Sequence, residues 1–226
     1  MGLTVIIPTL NEATHIGDTV TDVRQANPAE VIVVDGGSTD ATVALAQAAG
    51  AIVITSPRSR GTQQRIGAEK AHGDQLLFLH ADTKLPADFP AIVDATLSRP
   101  GVAGGAFRFK LDGTGWRLRM IERLVDWRCR LFQLPYGDQA LFVRASTLDR
   151  VGGFPDLPIM EDYELVQRLK KLGRIKIADA DAVTSSRRWR KLGVVRATWT
   201  NVACLLAYKW GVTPESIAAR RRASHS

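Results

Sequence analysis

The sequence contains few cysteines. Only Cys129 and Cys204 occur among its 226 residues, and they do not form a C-x-x-C pair. Neither a disulfide framework nor a structural zinc site is therefore expected, and we interpret both side chains as small core hydrophobes. This cysteine usage fits a reducing compartment, so we expect a cytoplasmic location.

Long hydrophobic runs are also lacking. No stretch of roughly 18 uncharged apolar residues occurs, so no membrane-spanning helix is predicted. The nearest approach, Leu192 to Trp210, is interrupted by Arg196 and Lys209. Residues 1–8 lack the basic start and the cleavage site of a signal peptide. The basic, aromatic tail leaves peripheral contact with the anionic inner face of a membrane as an open alternative.

The apolar content and the charge of the chain set its broad class. A hydrophobic fraction of 45% in 226 residues is enough for one substantial α/β domain and too little for two. Thirty Lys and Arg residues against 23 Asp and Glu residues give a net charge of +7. Polyphosphates, nucleic acid and anionic membranes are therefore all candidate partners, and charge alone does not choose among them.

The first half alternates short β-branched runs with alanine-rich helical stretches, a pattern typical of βαβ units around a mostly parallel sheet. The predicted strands are Leu3 to Ile7, Glu30 to Asp35, Ala51 to Thr55 and Gln75 to Leu79. The predicted helices run from about Thr14 to Asn27, from Ser38 or Asp40 to Gly50, from Gly61 to Ala71 and from Pro86 to Leu97.

The second half departs from this rhythm, and we interpret it as an elaborated half of the same domain. Its predicted extended segments are Val102 to Leu111, Gln139 to Arg144 and a short strand from Arg174 to Ala178. Its predicted helices are Trp116 to Leu131 and Asp162 to Leu172. The tail after Arg187 is predicted to be helical, with the arginines 220–222 in a solvated, frayed end.

Polar residues follow three of the predicted strands. Because ligands bind at the carboxyl ends of parallel strands, these residues are expected to share one rim. The first strand is followed by Pro8-Thr9-Leu10-Asn11-Glu12, the second by Asp35-Gly36-Gly37-Ser38-Thr39-Asp40, and the fourth by His80-Ala81-Asp82-Thr83. A His, an Asp and a hydroxyl at the end of a buried strand can hold a divalent metal ion over a ligand.

Two parts of this rim have simpler explanations. Asp35 can accept hydrogen bonds from the amides of a strand-to-helix turn while Ser38 caps the next helix. Arg58 and Arg60, which follow the third strand, suit the oxygens of a phosphate but can equally be solvated surface charges.

The segments Val5-Ile6-Ile7-Pro8-Thr9-Leu10-Asn11-Glu12 and Val33-Val34-Asp35-Gly36-Gly37-Ser38-Thr39-Asp40 resemble the nucleotide-binding half of the family 2 glycosyltransferases, which have the GT-A fold. The likeness extends through Asp82, Gly137-Asp138-Gln139-Ala140, Gly152-Gly153-Phe154-Pro155 and Glu161-Asp162. It implies one α/β domain over residues 1–190, with a nucleotide-binding half (1–84) and an acceptor half (85–190), followed by a tail (191–226). The short length and the stretch Leu79-His80-Ala81-Asp82-Thr83 further resemble a small bacterial group named after its association with radical-SAM and selenium-related proteins.

The resemblance implies transfer of a sugar, with inversion, from a UDP- or GDP-type donor to the hydroxyl of a small metabolite or a lipid phosphate. Asp82 would be the principal ligand of Mn²⁺ or Mg²⁺. His80 stands where the family has the first acid of D-x-D, and its imidazole suits Mn²⁺ better than Mg²⁺. The donor site would comprise Pro8, Thr9, Asn11, Glu12, Asp35, Ser38, Arg58, Arg60, Ala81 and Asp82.

The resemblance also implies the acceptor side. Asp162 would be the general base with Glu161 in support, although acids in a first helical turn can simply favour the helix dipole. Gly137, Asp138 and Gln139 would approach the acceptor, although they can also be only a turn. Arg188 and Trp189 match the end of the Q-x-x-R-W motif of processive synthases, but Ser185 replaces its Gln and a basic helix start explains them nearly as well.

Two other functions remain as alternatives. A sugar-phosphate nucleotidyltransferase would ordinarily carry a glycine-rich basic loop after the first strand, where this chain has Thr9-Leu10-Asn11-Glu12. A basic RNA-binding or membrane-surface module would leave the acidic rim unexplained. Nucleic acid is therefore not expected as a partner.

Overall fold

The computed structural model describes residues 2–187, 189 and 193–223, and only the backbone of residues 194–197, 222 and 223. The described strands are β1 (Leu3–Thr9), β2 (Glu30–Asp35), β3 (Ile52–Thr55), β4 (Gln75–Phe78), β5 (Thr83–Lys84), β6 (Val102–Leu111), β7 (Leu141–Arg144) and β8 (Arg174–Thr184). The described α-helices are α1 (Ile16–Gln25), α2 (Thr42–Ala48), α3 (Arg60–Lys70), α4 (Phe89–Leu97), α5 (Trp116–Phe132), α6 (Ala145–Arg150), α7 (Glu161–Lys170), α8 (Val194–Lys209) and α9 (Pro214–Ala223). A 3-10 turn covers Gly137–Gln139.

The strands form one sheet in the order β3-β2-β1-β4-β7-β6-β8-β5. The pairs β1 with β2, β1 with β4, β2 with β3 and β6 with β8 are parallel. The pairs of β7 with β4 and β6, and of β5 with β8, are antiparallel. The predicted α/β architecture with a mostly parallel sheet is therefore confirmed.

Apolar cores cover both faces of the sheet, which explains the continuous apolar runs of its strands. Val5 and Ile7 of β1 pack on one face in the cluster that contains Val20 of α1. Ile6, between them, packs on the other face in the cluster that contains Val166 of α7. All of these side chains are fully buried. The carboxyl end of β1 is thus fixed from both sides.

Several predicted bounds shift. Strand β1 continues through Pro8, which pairs with Val34, to Thr9, because proline removes only one donor from the ladder. Helix α4 begins at Phe89, three residues later than predicted, with Pro90 in its first turn. The two-residue strand β5 and the short helix α6 were not predicted.

Strand β8 is more than twice as long as predicted, because cross-strand ion pairs compensate its acidic residues. Asp179 and Asp181 contradict the expected strand pattern, but Arg108 of β6 binds them at 2.7 and 3.0 Å, and Lys110 binds Asp181 at 3.0 Å. Pairing of opposite charges on neighbouring strands stabilises a sheet. This extension carries the chain from Ala178 to Thr184, beside the end of β4.

The prediction that the C-terminal arginines lie in a frayed end is wrong. They belong to α9, whose Ile217 and Ala218 are buried against Ile159, and Cys204 and Tyr208 of α8 also pack there. The burial of the apolar side chains at 217–218 favours packing of the helix on the domain, and the arginines that follow do not prevent it. Among the described residues, no helix combines the length and the apolar character needed to cross a bilayer.

Candidate active site

A cavity of about 680 Å³ opens at the carboxyl ends of β1 and β4, within the usual size range of ligand sites. Its far side is formed by the segment 158–162 at the start of α7 and by residues of α8 and α9. Of the predicted site residues, it is lined by Pro8, Thr9, Glu12, Arg58, Arg60, His80, Ala81, Asp82, Asp138, Glu161, Asp162 and Trp189. Asn11, Asp35, Ser38, Gly137 and Gln139 do not line it, and Arg188 lies outside the described residues.

The Asp35 turn is held together by its own side chain. Asp35 is 2% exposed, and its Oδ2 accepts hydrogen bonds from the amides of Gly37 (2.9 Å) and Ser38 (2.8 Å). Its Oδ1 accepts from Ser38 Oγ at 2.5 Å and from Thr9 Oγ1 at 3.3 Å. The Asp35 carboxylate thus accepts the turn amides, as the turn interpretation predicted, and it also connects the ends of β1 and β2. Its contact with a nucleoside stays a prediction. The predicted cap of the next helix by Ser38 is wrong, because α2 begins only at Thr42 and the Ser38 hydroxyl is bound to Asp35 and to the Asn11 amide.

The loop after β1 is tied to the loop after β2. Asn11, at φ 54°, donates its amide to Ser38 Oγ (2.8 Å) and accepts from the Thr39 amide through Oδ1 (2.9 Å). The Glu12 amide donates to Thr42 Oγ1 at 2.8 Å. These bonds position Glu12 in the cavity wall, so Asn11 and Ser38 act on the site through Glu12.

One guanidinium joins the two acids of the β1 and β4 rim. Arg187 Nη2 lies 3.4 Å from both carboxylate oxygens of Glu12 and 3.6 Å from Asp82 Oδ2. The end of β8 brings Arg187 there, since the Ser185 amide donates to the Asp82 carbonyl at 3.2 Å. The sequence did not identify Arg187, because only the extra length of β8 brings this side chain to the rim.

The adjacent acids at the start of α7 have different surroundings. Asp162 Oδ2 accepts from the Gly137 amide and Oδ1 from the Tyr163 amide, each at 2.7 Å. Glu161 is 5% exposed, and burial together with the charge of Asp162 raises its pKa from 4.5 to about 7. Arg60 opposes this shift from 3.9 Å. Near neutral pH, Glu161 is therefore divided between its acid and its carboxylate form.

Because Gly137 has no side chain, the His80 ring and the Asp162 carboxylate can both lie close to its backbone. A Cβ atom at this position would lie 3.1 Å from His80 Nε2 and 3.5 Å from Asp162 Oδ2. His80 therefore faces Gly137 on the side of the cavity where Asp162 lies. This placement connects the end of β4 to the acid pair of α7.

Gln139 is buried and forms hydrogen bonds that position the neighbouring residues of the cavity wall. Its Oε1 accepts from the Tyr136 amide (3.3 Å) and from Arg128 Nη2 (3.1 Å), and its Nε2 donates to the Phe107 carbonyl (3.0 Å). Arg128 stacks 3.7 Å above the ring of Tyr136, which lines the cavity. Gln139 thus holds Tyr136 and Asp138 at the cavity surface.

Some lining residues were not predicted. Gln63 of α3 is buried and donates through Nε2 to the carbonyls of Thr9 (2.8 Å) and Val34 (2.7 Å). Asn201 and Cys204 of α8 and Arg221 of α9 reach the cavity from the tail. Local sequence gives no signal for Asn201, Cys204 and Arg221, because their positions depend on how the tail folds back.

The fold defines the class of protein, an α/β protein with the GT-A fold. The first 349 residues of TarS from S. aureus, in complex with UDP-GlcNAc, superpose with a TM-score of 0.62 at 21% identity, covering 82% of this chain and 58% of that one. Glucosyl-3-phosphoglycerate synthase from Mycobacterium tuberculosis, in complex with Mn²⁺, UDP and glucosyl-3-phosphoglycerate, superposes with a TM-score of 0.58 at 19% identity, covering 81% and 70%.

The family follows from sequence similarity. The family model described as glycosyl transferase family 2 matches residues 4–154, so this chain belongs to that family. The glycosyltransferase AglJ of Haloferax volcanii is 44% identical over 66 residues, which are 29% of this chain and 22% of that protein. The chain therefore spans less than two thirds of AglJ and of the TarS fragment. The predicted membership of glycosyl transferase family 2 is confirmed.

Proposed function

We propose that this chain transfers a sugar from a nucleoside-diphosphate donor of the UDP or GDP type to an acceptor hydroxyl, with inversion at the anomeric carbon. The observation that carries the proposal is the cavity itself. It brings Glu12 and Asp82 at the strand ends, arginines at its edge, and the acid pair Glu161-Asp162 into one space. Family membership and the UDP-GlcNAc complex of TarS support the donor class.

The donor would bind along the carboxyl ends of β1 and β4. Pro8 and Thr9 would line the nucleoside pocket and Glu12 would accept from the nucleoside. Arg58, Arg60 and Arg187 offer guanidinium groups to the diphosphate, which suit phosphate oxygens because of their planar fork of donors. The position of Arg58 and Arg60 in the cavity lining supports the phosphate role proposed for them.

A divalent ion fits this site if one or two side chains hold it and the substrate phosphates complete its coordination shell. The described residues contain no group of three His, Cys, Asp or Glu side chains placed to hold an ion. Mg²⁺ and Mn²⁺ in phosphate sites commonly take one or two carboxylates and complete their shell with substrate phosphates and water. Asp82 can supply that carboxylate, with His80 as a second candidate ligand. The ion would supply positive charge to stabilise the departing diphosphate.

Asp162 is the proposed general base. Two backbone amides fix its carboxylate at the cavity wall, so its free lone pairs have a defined direction. A positioned base can take the proton of the acceptor hydroxyl as that oxygen attacks the anomeric carbon opposite the leaving diphosphate. Glu161, which is buried next to Asp162, would change the total charge of the pair when it gains or loses its proton.

The acceptor is proposed to be a small metabolite or a lipid phosphate. The glucosyl-3-phosphoglycerate synthase that shares this fold binds phosphoglyceric acid, an anionic molecule, which supports a charged group on the acceptor proposed here. The cysteine usage supports a cytoplasmic location. Membership in the small bacterial group named above stays a prediction.

Thermal stabilisation by donor sugars tests the proposal. A ligand that binds only the folded state raises the melting temperature, by an amount that grows with its concentration over Kd. In a panel of UDP, GDP and dTDP sugars, we expect one nucleotide class to raise the Tm with Mn²⁺ or Mg²⁺ and to do so less with excess EDTA.

The Asp82→Ala variant should lose the metal-dependent part of that shift. Asp18→Ala is the matched control, since Asp18 is an exposed acid on α1 outside the cavity. If no nucleotide sugar raises the Tm, the donor proposal is wrong. If Asp82→Ala keeps the full metal-dependent shift, Asp82 is not the metal ligand.

A further inference from the structure

Helix α5 carries two apolar stripes, and only one of them is buried. The inward stripe contains Leu118, Ile121 and Cys129. The other stripe recurs at the three- and four-residue spacing that places side chains on one helical face. It consists of Trp116 (70% exposed), Met120 (42%), Leu124 (52%), Trp127 (61%) and Leu131 (55%). An amphipathic helix packed on a domain needs only the first stripe, so the second is available to an external partner.

Helix α8 repeats this arrangement and contacts α5. Its exposed stripe consists of Trp199, Val202, Leu206 and Trp210. Leu205 and Tyr208, on its other side, pack against the domain, and Asn201 and Cys204 line the cavity. Four of the five tryptophans of the chain are thus exposed on two touching helices, one of which also forms a wall of the candidate active site. We call this surface the α5–α8 face.

The charge of the α5–α8 face selects its partner. On α5, Arg117, Arg123 and Arg130 are exposed, and only Arg130 of these pairs with an acid of the helix, Asp126. On α8, Lys209 is exposed, and the helix contains no acidic residue. A second copy docked face to face would bring these like charges together at an interface. An anionic lipid surface would complement them, and each basic residue near such a surface contributes to binding.

The apolar residues of the face suit the same partner. Tryptophan is enriched at the membrane–water interface, where its ring meets the acyl chains and its N–H remains near polar groups. Helices that lie in the interface combine such residues with arginine and lysine. No described helix could span the bilayer instead.

We propose that the α5–α8 face docks the chain on an anionic lipid bilayer. Both helices would lie in the headgroup region with their exposed stripes inserted. Because the opposite side of α8 lines the cavity, docking would place the active site beside the headgroups. The proposal does not depend on the identity of the donor or on the catalytic roles given above.

Vesicle sedimentation with the full chain tests this proposal. We expect binding to vesicles of phosphatidylcholine with phosphatidylglycerol, weaker binding to phosphatidylcholine alone, and release at high salt. The variant Leu124→Ser/Trp127→Ser should lower the partition coefficient by at least about tenfold, since two large apolar side chains are lost from the inserted stripe. Arg117→Gln/Arg123→Gln should weaken binding to the anionic vesicles only.

The matched control is Ile52→Ser on the edge strand β3, at the far end of the sheet from β8. Ile52 is 52% exposed, like Leu124, so its loss should leave partitioning unchanged. Donor-induced Tm shifts in lipid-free solution should be the same in all variants, which separates this test from that of the donor. The proposal fails if the native chain does not bind anionic vesicles, if Ile52→Ser weakens binding equally, or if the chain is a dimer that Leu124→Ser/Trp127→Ser converts to a monomer.

Discussion

At the scale of single residues, the acid pair at the start of α7 shows how neighbours in sequence acquire different properties. The Asp162 carboxylate receives two backbone hydrogen bonds at 2.7 Å, which fix its orientation. Glu161 is buried beside it, and its pKa rises to about 7. Two carboxyl groups in contrasting environments are a common basis for acid and base roles.

Replacing the proposed base should affect chemistry more than binding. We expect Asp162→Asn to lower kcat by roughly 10²- to 10⁴-fold, the usual contribution of general base catalysis, with donor binding nearly intact. Asn has one acceptor oxygen for the two amides, so a loss of about 1 kcal/mol in stability is also expected. Steady-state kinetics, a donor titration and a melting curve measure these effects.

Glu164→Gln is the matched control for Asp162→Asn. Glu164 lies in the same first turn and binds Arg168 and Tyr208 outside the cavity. Its loss removes the same favourable interaction with the helix dipole. A similar fall in kcat for both variants, or an equal loss of donor binding and turnover in Asp162→Asn, would assign these acids a structural role.

The burial of Glu161 should make stability depend on pH. Its folded-state pKa of about 7 exceeds the unfolded value near 4.5, so the folded state binds the proton more tightly. The cost of burying the carboxylate is absent below about pH 4.5, grows as pH rises, and is complete above pH 7, where it is on the order of 3 kcal/mol. Glu161→Gln removes this cost.

We therefore expect Glu161→Gln to melt above the native chain at pH 8 and to approach it at pH 4.5. Loss of the Arg60 contact should matter little, because Arg60 is largely exposed. Melting curves between these pH values measure the difference. A gap that is constant with pH would mean that Glu161 is not buried as a titrating group.

At the scale of elements, the parallel part of the sheet was predictable because its signals are local. The apolar runs of β1 and β2 each identify a strand, and the Asp35 turn marks the end of β2, although β1 continues past Pro8. Strand β8 was predicted too short, because Asp179 and Asp181 find their partners on β6, which is distant in sequence. Sequence patterns predict local secondary structure, but they do not show which residues on distant strands will form ion pairs.

Helix α3 fits against the segment before α7 only because residue 61 is glycine. A Cβ atom there would lie 2.4 Å from the Leu157 carbonyl oxygen and 2.7 Å from that of Pro155. Backbone cannot yield as a side chain can, so we expect Gly61→Ala to destabilise the fold by about 1–3 kcal/mol. Because Pro158 lines the cavity just beyond, donor binding should weaken as well.

Gly17→Ala on α1 is the matched control for this helix position. A Cβ atom at residue 17 would meet only Leu45 Cβ, at 3.9 Å, an ordinary contact. Alanine in a helix is favoured over glycine by roughly 0.5–1 kcal/mol, so this variant should be slightly more stable. Chemical denaturation compares the two, and equal effects would contradict the close packing of α3.

At the scale of the whole molecule, the candidate site is assembled from both ends of the chain. The rim residues Glu12 and Asp82 belong to local motifs and were predictable, and so was the Glu161-Asp162 pair. Arg187 and Arg221 were not, because they reach the cavity only after β8 and the tail fold back. The family model ends at residue 154, so these closing parts lie beyond the segment that defines the family.

The C-terminal helix should therefore contribute to both stability and the site. Ile217 of α9 is 4% exposed and packs in a cluster with Ile159, next to Met160 and the acid pair. Truncating a buried isoleucine to alanine costs about 2–5 kcal/mol, which corresponds to a fall in Tm of roughly 5–15 °C in a chain of this size. We expect Ile217→Ala to lower the Tm within this range and to lower turnover, since Arg221 and the segment 158–162 lose their support.

Ala219→Ser, at an exposed position of the same helix, should leave both quantities nearly unchanged. The two variants separate packing of α9 from its helical propensity, because serine is the poorer helix former of the two residues at 219. If Ile217→Ala matched Ala219→Ser in Tm and in turnover, α9 would not be packed on the domain in solution. If Tm and turnover both fall for Ile217→Ala and not for Ala219→Ser, the tail forms part of the wall of the active site.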